Sequence, residues 1–394
     1  MWLSDVRLVL PDCVLPSASL YLEDGIISQI VGGAAKKPDL YGTGLTAIAG
    51  LVDLHGDMLE RELEPRPGAA FPIEVSLLEL DKRLAAAGVT TAYAAISFSE
   101  HRAKHLRSEE RAREIVEGVA GLRASLLTEM RIHARFEITN HRAAPILKDL
   151  LTARMVDMVS LNDHTPGQGQ YRDLEQFIAY ISTWQGKTRE EVENNVRERM
   201  QKSADAPPSW EVIAQITKLA REAGMVVASH DDDSPEKVQM VRGVGASLSE
   251  FPVTLEAAQA AQAHGMKIIM GAPNALRGSS HSGNLSALEA LEHGVLDILA
   301  SDYYPAAMLR AALEIVKKGL LPLPEAVNLI SLNPARAVGL QDRGSLEVGQ
   351  CADLVLLDHN DNYRVVATLR GGKIIYWAGH PVLPSPQSRV LEFA

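Results

Sequence analysis

Histidine and acidic residues follow several short apolar segments of this sequence, at the point where each segment ends. His55 and Asp57 come directly after LVDL at 51–54. Imidazole and carboxylate groups are common ligands of zinc and of similar divalent ions. A set of them converging from separate strands predicts a hydrolytic site with two metal ions. The later residues at such positions are Glu137, Asp163 with His164, His230, Glu250 and Asp302.

Each of these residues taken alone has a more ordinary explanation. An aspartate after a strand commonly caps the next helix, and a histidine there commonly makes a structural hydrogen bond. We expect capping from at least one of Asp231, Asp232 and Asp233, because the helical pattern SPEKVQMV follows them. We interpret His133 and His141 as structural residues, and Glu250, just before Phe251-Pro252, has a structural role as its alternative. The prediction of a metal site therefore depends on the joint pattern.

Such residues can meet only if parallel strands bring their ends together. Short apolar runs alternate with longer amphipathic stretches from residue 51 to about 320, which predicts an α/β fold, a (β/α)8 TIM barrel. Because active sites of this barrel lie at the C-terminal ends of its strands, the metal-capable residues should share one face. The strands are expected at 51–55, 89–96, 131–138, 156–162, 225–230, 246–251, 267–271 and 297–302.

Helical patterns separate most of these strands. The connection from 163 to 224 is much longer and carries two additional helical stretches, the second opening with a capping box at Thr188 and Glu191. This insertion falls on the catalytic side of the barrel, and we interpret it as a lid or a dimer contact. The expected helices are 74–87, 109–130, 173–184, 188–203, 209–223, 253–264, 284–293 and 305–318.

Both ends of the chain carry a different pattern. Residues 2–10 and 16–31, and again 344–358 and 363–382, show short apolar alternations joined by turn signals such as Gly371-Gly372. They predict a small split β-sandwich domain made of 1–49 and 338–394. The barrel then occupies 50–337.

Composition disfavours several classes of function. The formal net charge is −11, from 50 acidic and 39 basic residues, so binding to nucleic acid or to an anionic membrane is not expected. The two cysteines, Cys13 and Cys351, indicate no disulfide framework. The N-terminal residues do not resemble a signal peptide and no apolar segment is long enough to span a bilayer, so we expect a cytoplasmic protein.

The longer motifs resemble the amidohydrolase superfamily. Within it they are similar to a branch of diphosphatases that act on a ribose 5-triphosphate carrying a 1-phosphonate. The chain departs from the usual His-x-His of the first strand, because it reads His55-Gly56-Asp57, and Gly56 and Met58 replace the more frequent Thr and Asn of that branch. The similar stretches are GLVDLHGDMLERELEPRP, NDHTPGQGQYRD, ASHDDDSPEKV, EFPVTLEAA, MGAPNALRGSSHSGN and ASDYYPAAML.

The resemblance implies hydrolysis within a triphosphate, with release of pyrophosphate. It implies two divalent metal ions, zinc first and manganese or iron as alternatives, and a small phosphorylated substrate. Asp302 ends the last strand, and we expect it to act as the catalytic base. We expect a homo-oligomer, a dimer. The expected metal ligands are His55, Asp57 and Asp302 for one ion, His164 and His230 for the other, and Glu137 as the bridge, where the superfamily often has a carboxylated lysine.

The loop PNALRGSSHSGN at 273–284 suits an anionic group, because arginine and closely approaching backbone amides bind phosphate. We expect substrate contacts from Asn274, Arg277 and His281, and from Arg61 and Arg66 after the first strand. Two other interpretations stay open: a cyclic-amide hydrolase or deaminase on the same scaffold, and a non-catalytic scaffold protein. The phosphate-type loop argues against the first, and stoichiometric metal would argue against the second.

Overall fold

The computed structural model describes residues 1–66, 68–99, 108–205, 207–278 and 283–379. They form two eight-stranded sheets, one from the middle of the chain and one from its two ends. The strands are β1 Trp2–Val9, β2 Val14–Glu23, β3 Ile26–Gly32, β4 Leu40–Tyr41, β5 Leu45–Ala49, β6 Leu51–Gly56, β7 Val89–Phe98, β8 Glu129–Glu137, β9 Met158–Asn162, β10 Val226–His230, β11 Leu248–Glu250, β12 Lys267–Gly271, β13 Ile298–Ala300, β14 Leu354–Asp358, β15 Arg364–Arg370 and β16 Lys373–Trp377.

Helices follow most strands of the middle sheet and pack around it. None of the described helices is both long and apolar enough to cross a bilayer. The helices are α1 Met58–Leu63, α2 Ile73–Ala86, α3 Glu109–Leu122, α4 Ala143–Thr152, α5 Leu174–Gln185, α6 Arg189–Asp205, α7 Trp210–Glu222, α8 Pro235–Gly243, α9 Leu255–Ala263, α10 Ala272–Arg277, α11 Ala287–Glu292, α12 Ala307–Lys317, α13 Leu323–Asn328 and α14 Leu332–Ala337.

The middle sheet is a parallel barrel whose strands run in chain order from β6 to β13. Its first and last strands meet at an isolated parallel bridge between Gly56 and Asp302. The Asp302 amide donates to the His55 carbonyl at 2.8 Å, and the Asp57 amide donates to the Asp302 carbonyl at 2.8 Å. The predicted (β/α)8 barrel is confirmed, and its closure brings the ends of the first and last strands together.

A buried carboxylate reinforces this seam. Asp53 on β6 has no exposed surface and accepts hydrogen bonds from the Ser301 amide and hydroxyl, just after β13. Burial raises the pKa of Asp53, while the bonds from Ser301 oppose that rise. Such a carboxylate is tolerated in the interior because its oxygens are hydrogen-bonded. Asp53 therefore helps to hold His55 and Asp302 side by side.

The terminal sheet runs in the order β16-β15-β14-β5-β1-β2-β3, with β4 paired to β1. It encloses its own apolar core, which takes Leu3, Leu20, Leu354 and Val366 from both chain ends. The predicted small β domain, split between the ends of the chain, is confirmed.

This domain contacts the barrel at the N-terminal ends of its strands. Arg343 binds Thr91 and Glu129, which lie at the beginning of β7 and β8. The Thr368 hydroxyl donates to the Ala85 carbonyl at 2.7 Å. The rim at the C-terminal ends of the strands, where the metal-capable residues lie, is formed by the loops of the barrel and by the insertion.

Strand and helix positions match the sequence patterns closely, with one clear error. The helix predicted over 109–130 ends at Leu122, and β8 begins at Glu129. Between them, the amides of Leu127 and Thr128 donate to the Asp81 carboxylate at 2.6 and 2.9 Å. A side chain from a distant helix thus takes the backbone donors that a longer α3 would have used.

Candidate metal centre

Three side chains from separate strand ends converge inside the C-terminal mouth of the barrel. His55, His230 and Glu250 each offer a ligand atom, and these atoms lie within 4.8 Å of one another. The His55 Nδ1 and Glu250 Oε2 atoms are 3.3 Å apart. All three residues are buried, and Glu250 has no exposed surface. This group, the His55–Glu250 group, has the donor types and the spacing of a site for a divalent ion.

A second group lies beside the first and shares His230 with it. Its members are His164, His230 and Asp231, again with ligand atoms within 4.8 Å of one another. The Asp231 Oδ2 atom is 3.1 Å from His230 Nδ1 and 3.9 Å from His164 Nε2. Two adjacent groups with a shared imidazole suit a centre with more than one metal ion.

The hydrogen bonding of these residues supports occupation by cations. Among the described residues, no hydrogen-bond partner is found for buried polar atoms of His55, His230, Asp231 and Glu250. Leaving a buried acceptor unsatisfied costs about 1–3 kcal/mol, and more for a charged group. Facing lone pairs that are unfavourable in the bare protein become ligands when a cation lies between them. The residues present therefore fit a divalent metal.

The hydrogen bonds of His133 and His164 leave the Nε2 atom of each ring available to bind metal. His133 Nδ1 lies 3.2 Å from the Leu54 carbonyl oxygen and donates to it. His164 Nδ1 lies 2.7 Å from Glu137 Oε2 and donates to that carboxylate. Each bond fixes the tautomer in which Nε2 carries the free lone pair, as is usual for histidines around metals.

Burial and neighbouring charges set the protonation states that metal binding requires. Burial lowers the pKa of His55 well below its usual value and that of His133 to about 3, so both imidazoles are neutral. Burial alone would raise the pKa of Asp231, but the neighbouring His230 and His164 lower it to about 2. Neutral imidazole and ionised carboxylate are the forms that bind metal.

Glu250 and Asp231 were not predicted as parts of the site. For Glu250 the sequence leaves a structural alternative open, and the structure places it between His55 and His133, 3.6 Å from His133 Nε2. The expected capping by one of the three aspartates is wrong, because Ser234 caps α8 by accepting from the Lys237 amide. The available signal for Glu250 was its position as the last residue of an apolar strand, which the following Phe-Pro obscured.

The other two aspartates after β10 hold neighbouring segments in place. Asp232 accepts from the hydroxyls of Ser229 and Ser249, at 2.5 and 2.6 Å, and so joins β10 to β11. Asp233 accepts from the Gly169 amide at 2.7 Å. These bonds leave Asp231 as the aspartate of this triplet that faces the imidazoles.

Glu137 is hydrogen-bonded to His164. The backbone amide and the ring Nδ1 of His164 both donate to the Glu137 carboxylate, at 2.9 and 2.7 Å. Neither of the two groups of ligand atoms found in the described chain includes Glu137. This geometry is that of a residue that orients a metal ligand. The bridging role of Glu137 stays a prediction. His141 lies on the surface, where its Nε2 is 3.0 Å from the Pro207 carbonyl oxygen.

Asp57 and Asp302 lie next to each other at the barrel seam. Burial, followed by the charge of Asp57, raises the pKa of Asp302 to about 7. A carboxyl group of this kind can accept and return a proton near neutral pH. Neither residue belongs to the two groups identified among the described residues, so their roles as metal ligands stay predictions.

Backbone strain is concentrated at the same strand ends. Asp231, Phe251 and Asp302 follow β10, β11 and β13 with φ of 55°, 53° and 57°. Non-glycine residues seldom adopt this left-handed conformation, and it is frequent at functional sites. The Phe251 ring packs edge-on against the rings of His55 and His230, with centroids 4.9 and 5.2 Å away. The apolar ring therefore shields the buried imidazoles.

The predicted substrate-binding residues lie around Tyr303. The Arg61 guanidinium stacks over the Tyr303 ring, 5.3 Å from its centroid, and Arg277 donates a hydrogen bond to the Tyr303 hydroxyl. Two cationic side chains are therefore held together beside Asp302. We call Arg61, Arg277 and Tyr303 the rim cluster.

The remaining predicted substrate residues are less closely tied to the site. The Asn274 side-chain oxygen accepts from the Ala287 amide at 2.9 Å, which supports the loop rather than presenting a free acceptor. Arg66 is exposed. His281 lies outside the described residues.

The insertion between β9 and α7 is attached to the site. Its helices α5 and α6 share a small apolar core that includes Phe177 and Val192, and the predicted capping box of Thr188 and Glu191 is formed. Arg199 on α6 donates to the His164 carbonyl at 2.7 Å. The insertion therefore contacts the backbone of a predicted metal ligand.

Sequence and structural comparisons define the class of this protein. The sequence model of the Amidohydrolase family matches residues 82–375, and the chain belongs to this family. It is accordingly a hydrolase of the amidohydrolase superfamily. The structure of N-acetyl-D-glucosamine-6-phosphate deacetylase from Mycobacterium smegmatis superposes with a TM-score of 0.65 at 18% identity, over 95% of this chain and 100% of that one. This similarity supports the fold.

A more similar relative covers almost the whole chain. Alpha-D-ribose 1-methylphosphonate 5-triphosphate diphosphatase of Escherichia coli (strain K12) is 35% identical over 383 residues, which cover 95% of this chain and 100% of that protein. Dihydroorotase of Aquifex aeolicus (strain VF5) is 24% identical over 134 residues, 23% of this chain and 32% of that protein. The resemblance to the diphosphatase therefore extends through both sheets.

Proposed function

We propose that this hydrolase cleaves a ribose 5-triphosphate that carries a 1-methylphosphonate, leaving the 5-phosphate and releasing pyrophosphate. The observation that carries the proposal is the rim cluster, in which Arg61 and Arg277 converge on Tyr303 beside the metal-capable groups. Paired guanidinium groups at the mouth of a buried site suit a polyphosphate better than a neutral amide. The full-length similarity to the diphosphatase of Escherichia coli supports the same reaction.

Two divalent ions, zinc in the first instance, complete the proposed site. When bound, they activate water and neutralise charge on the phosphoryl oxygens. His55 and Glu250 would hold one ion and His164 and Asp231 the other, with His230 between them. Glu137 keeps a ligand in position through its two hydrogen bonds with His164.

The side chains of this protein divide the remaining work. Asp302 accepts the proton of the attacking water and passes it on, since its pKa of about 7 matches that task. Arg61 and Arg277 bind the outer phosphates and stabilise the negative charge of the departing pyrophosphate. The rings of Phe251, His55 and His230 pack together and limit water beneath the reacting group.

The test is pyrophosphate release from the 1-methylphosphonate 5-triphosphate, with metal-stripped protein and with protein reloaded with zinc or manganese. We expect release only after reloading. In Arg277→Ala the KM for the triphosphate should rise by about 10- to 100-fold, as expected for the loss of a charge-assisted contact. Arg242→Gln, a change to an exposed arginine at the end of α8, is the matched control.

Two results would contradict the proposal. One is a reloaded protein that releases no pyrophosphate but hydrolyses a cyclic amide or deaminates a purine. The other is an Arg277→Ala protein whose KM for the triphosphate is unchanged, which would remove the rim cluster from substrate binding.

A further inference from the structure

Four polar residues on β7, β8 and β9 have no part in the proposed mechanism: Ser97, Arg135, Ser160 and Asn162. In the barrel register, Ser97 pairs with Arg135 and Arg135 pairs with Ser160. Two residues further toward the C-terminal ends of the strands, Glu137 pairs with Asn162 on the same face. Because side chains alternate along a strand, Arg135 points to the same side as Glu137 and His133, into the barrel.

The Arg135 guanidinium is directly paired with no carboxylate in the described chain, although burial raises the pKa of Glu250 and of Asp302 and the charge of Arg135 opposes that rise. It takes part in no hydrogen bond or ion pair there, and its Nε atom is buried without a partner. Arg135 lies close to the metal-capable groups, because it lines the same cavity as His164. Arg135 is partly exposed, and a cation whose Nε atom is buried without a partner is stabilised when an anion binds it.

Asn162 presents a second unsatisfied donor. Its side chain is 1% exposed, and its Oδ1 atom accepts from the Ser160 hydroxyl at 2.8 Å. In this orientation of the amide, Nδ2 points away from Ser160 and has no partner among the described residues. Both unsatisfied donors line the same small cavity, together with Ser97, Ser99, Glu137 and His164.

The chemistry of this lining favours one class of ligand. The two unsatisfied groups are donors, and the serine hydroxyls can donate as well. The acceptors of Glu137 already bind the amide and ring of His164. A metal cation would be repelled by Arg135, whereas a tetrahedral oxyanion would satisfy the guanidinium and the amide together.

We propose that this cavity, the Arg135–Asn162 subsite, binds a phosphoryl or phosphonate oxyanion of the substrate. The inference rests on the proposed function and adds a second anion-binding region to it. The subsite lies on the second to fourth strands of the barrel. The residues of the rim cluster lie just after the first, seventh and eighth strands. The two regions therefore lie on opposite sides of the metal-capable groups, as suits a substrate that is anionic at both ends.

The variants are Arg135→Gln, which removes the charge, Arg135→Lys, which keeps it, and Arg242→Gln as the matched control. Zinc-reloaded proteins are titrated calorimetrically with inorganic phosphate and with methylphosphonate, and their zinc content is measured. Arg135→Gln should weaken binding of at least one of these anions by about 10- to 100-fold, as expected for a lost charged hydrogen bond. Arg135→Lys should recover part of the affinity, and the control should bind like wild type.

Turnover distinguishes the source of the oxyanion. The KM of Arg135→Gln is measured for the ribose 5-triphosphate with and without the 1-phosphonate. A rise confined to the phosphonate substrate assigns the subsite to the phosphonate, and an equal rise for both assigns it to the triphosphate. If wild type releases no pyrophosphate but its anion binding depends on Arg135, the subsite stands and the proposed function fails.

Two outcomes would overturn the subsite. One is Arg135→Gln with the anion affinities and KM values of wild type. The other is Arg135→Gln that folds but loses its zinc, which would make Arg135 a residue that stabilises the metal centre instead.

Discussion

Glu137 and Glu250, which end two different strands at the barrel mouth, should respond differently to the same substitution. Glu250 has no exposed surface, no hydrogen-bond partner among the described residues for either oxygen, and imidazole nitrogens at 3.3 and 3.6 Å. Glu137 instead binds the amide and ring of His164 with its two oxygens. We therefore expect Glu250 to be a ligand and Glu137 to orient one.

The expected magnitudes follow from these positions. Removing a group that orients a ligand typically weakens metal affinity by about 10- to 100-fold, which corresponds to about 1.4–2.8 kcal/mol. Glu137→Gln should fall in that range. Glu250→Gln replaces the only anionic ligand atom of its group by a neutral amide, so its loss should exceed about 100-fold. Both changes keep the size of the side chain, so cavity formation does not contribute.

The assay is zinc affinity, measured by competition with a chromogenic chelator, together with zinc content after dialysis. Circular dichroism and thermal unfolding of the zinc-free proteins show whether each variant folds like wild type. The reasoning is refuted if Glu250→Gln keeps its affinity within about tenfold of wild type, or if Glu137→Gln loses more affinity than Glu250→Gln. The second result would favour the bridging role first predicted for Glu137.

Asp302→Asn tests the proton-transfer group, and a pair of glycine substitutions tests the contact between the insertion and Asp231. Asp302→Asn should retain zinc but lower kcat for pyrophosphate release by about 100-fold or more, because an amide cannot accept the proton; an unchanged kcat would exclude that role. Gly169→Ala places a Cβ 3.1 Å from Asp231 at a φ of +54° and should lower zinc affinity and Tm, whereas Gly167→Ala, at φ +93° with no atom within 4 Å, should lower Tm alone. Equal zinc affinity in the two glycine variants would show that contact with Asp231 is unimportant.

The barrel could be predicted from the sequence because its signals are local. Apolar runs of strand length, separated by amphipathic stretches, located β6 and β12 to within a residue of their observed bounds. The capping box of Thr188 and Glu191 depends on atoms three residues apart, so its two reciprocal hydrogen bonds could be expected in advance. The convergence of His55, His164 and His230 at the mouth of the barrel could be expected for the same reason, since a strand end determines which residue reaches the mouth.

The composition of the site depended on contacts between distant parts of the chain. Arg135 was not singled out because its sequence neighbours show an ordinary strand, and only the pairing of β8 with β7 and β9 places it beside Ser97 and Asn162. The end of α3 was misplaced because Asp81, more than forty residues earlier, binds the backbone that follows the helix.

The sequence by itself determined the order of strands and helices and the residues at the strand ends, because periodicity and capping act over a few residues. Only the tertiary structure decided that Glu250 and Asp231 face the imidazoles. Left-handed turns at Asp231 and Phe251 and the closure of the barrel at Asp302 set those directions. Such directions depend on how neighbouring strands pair, and strand pairing joins residues that lie far apart in the chain.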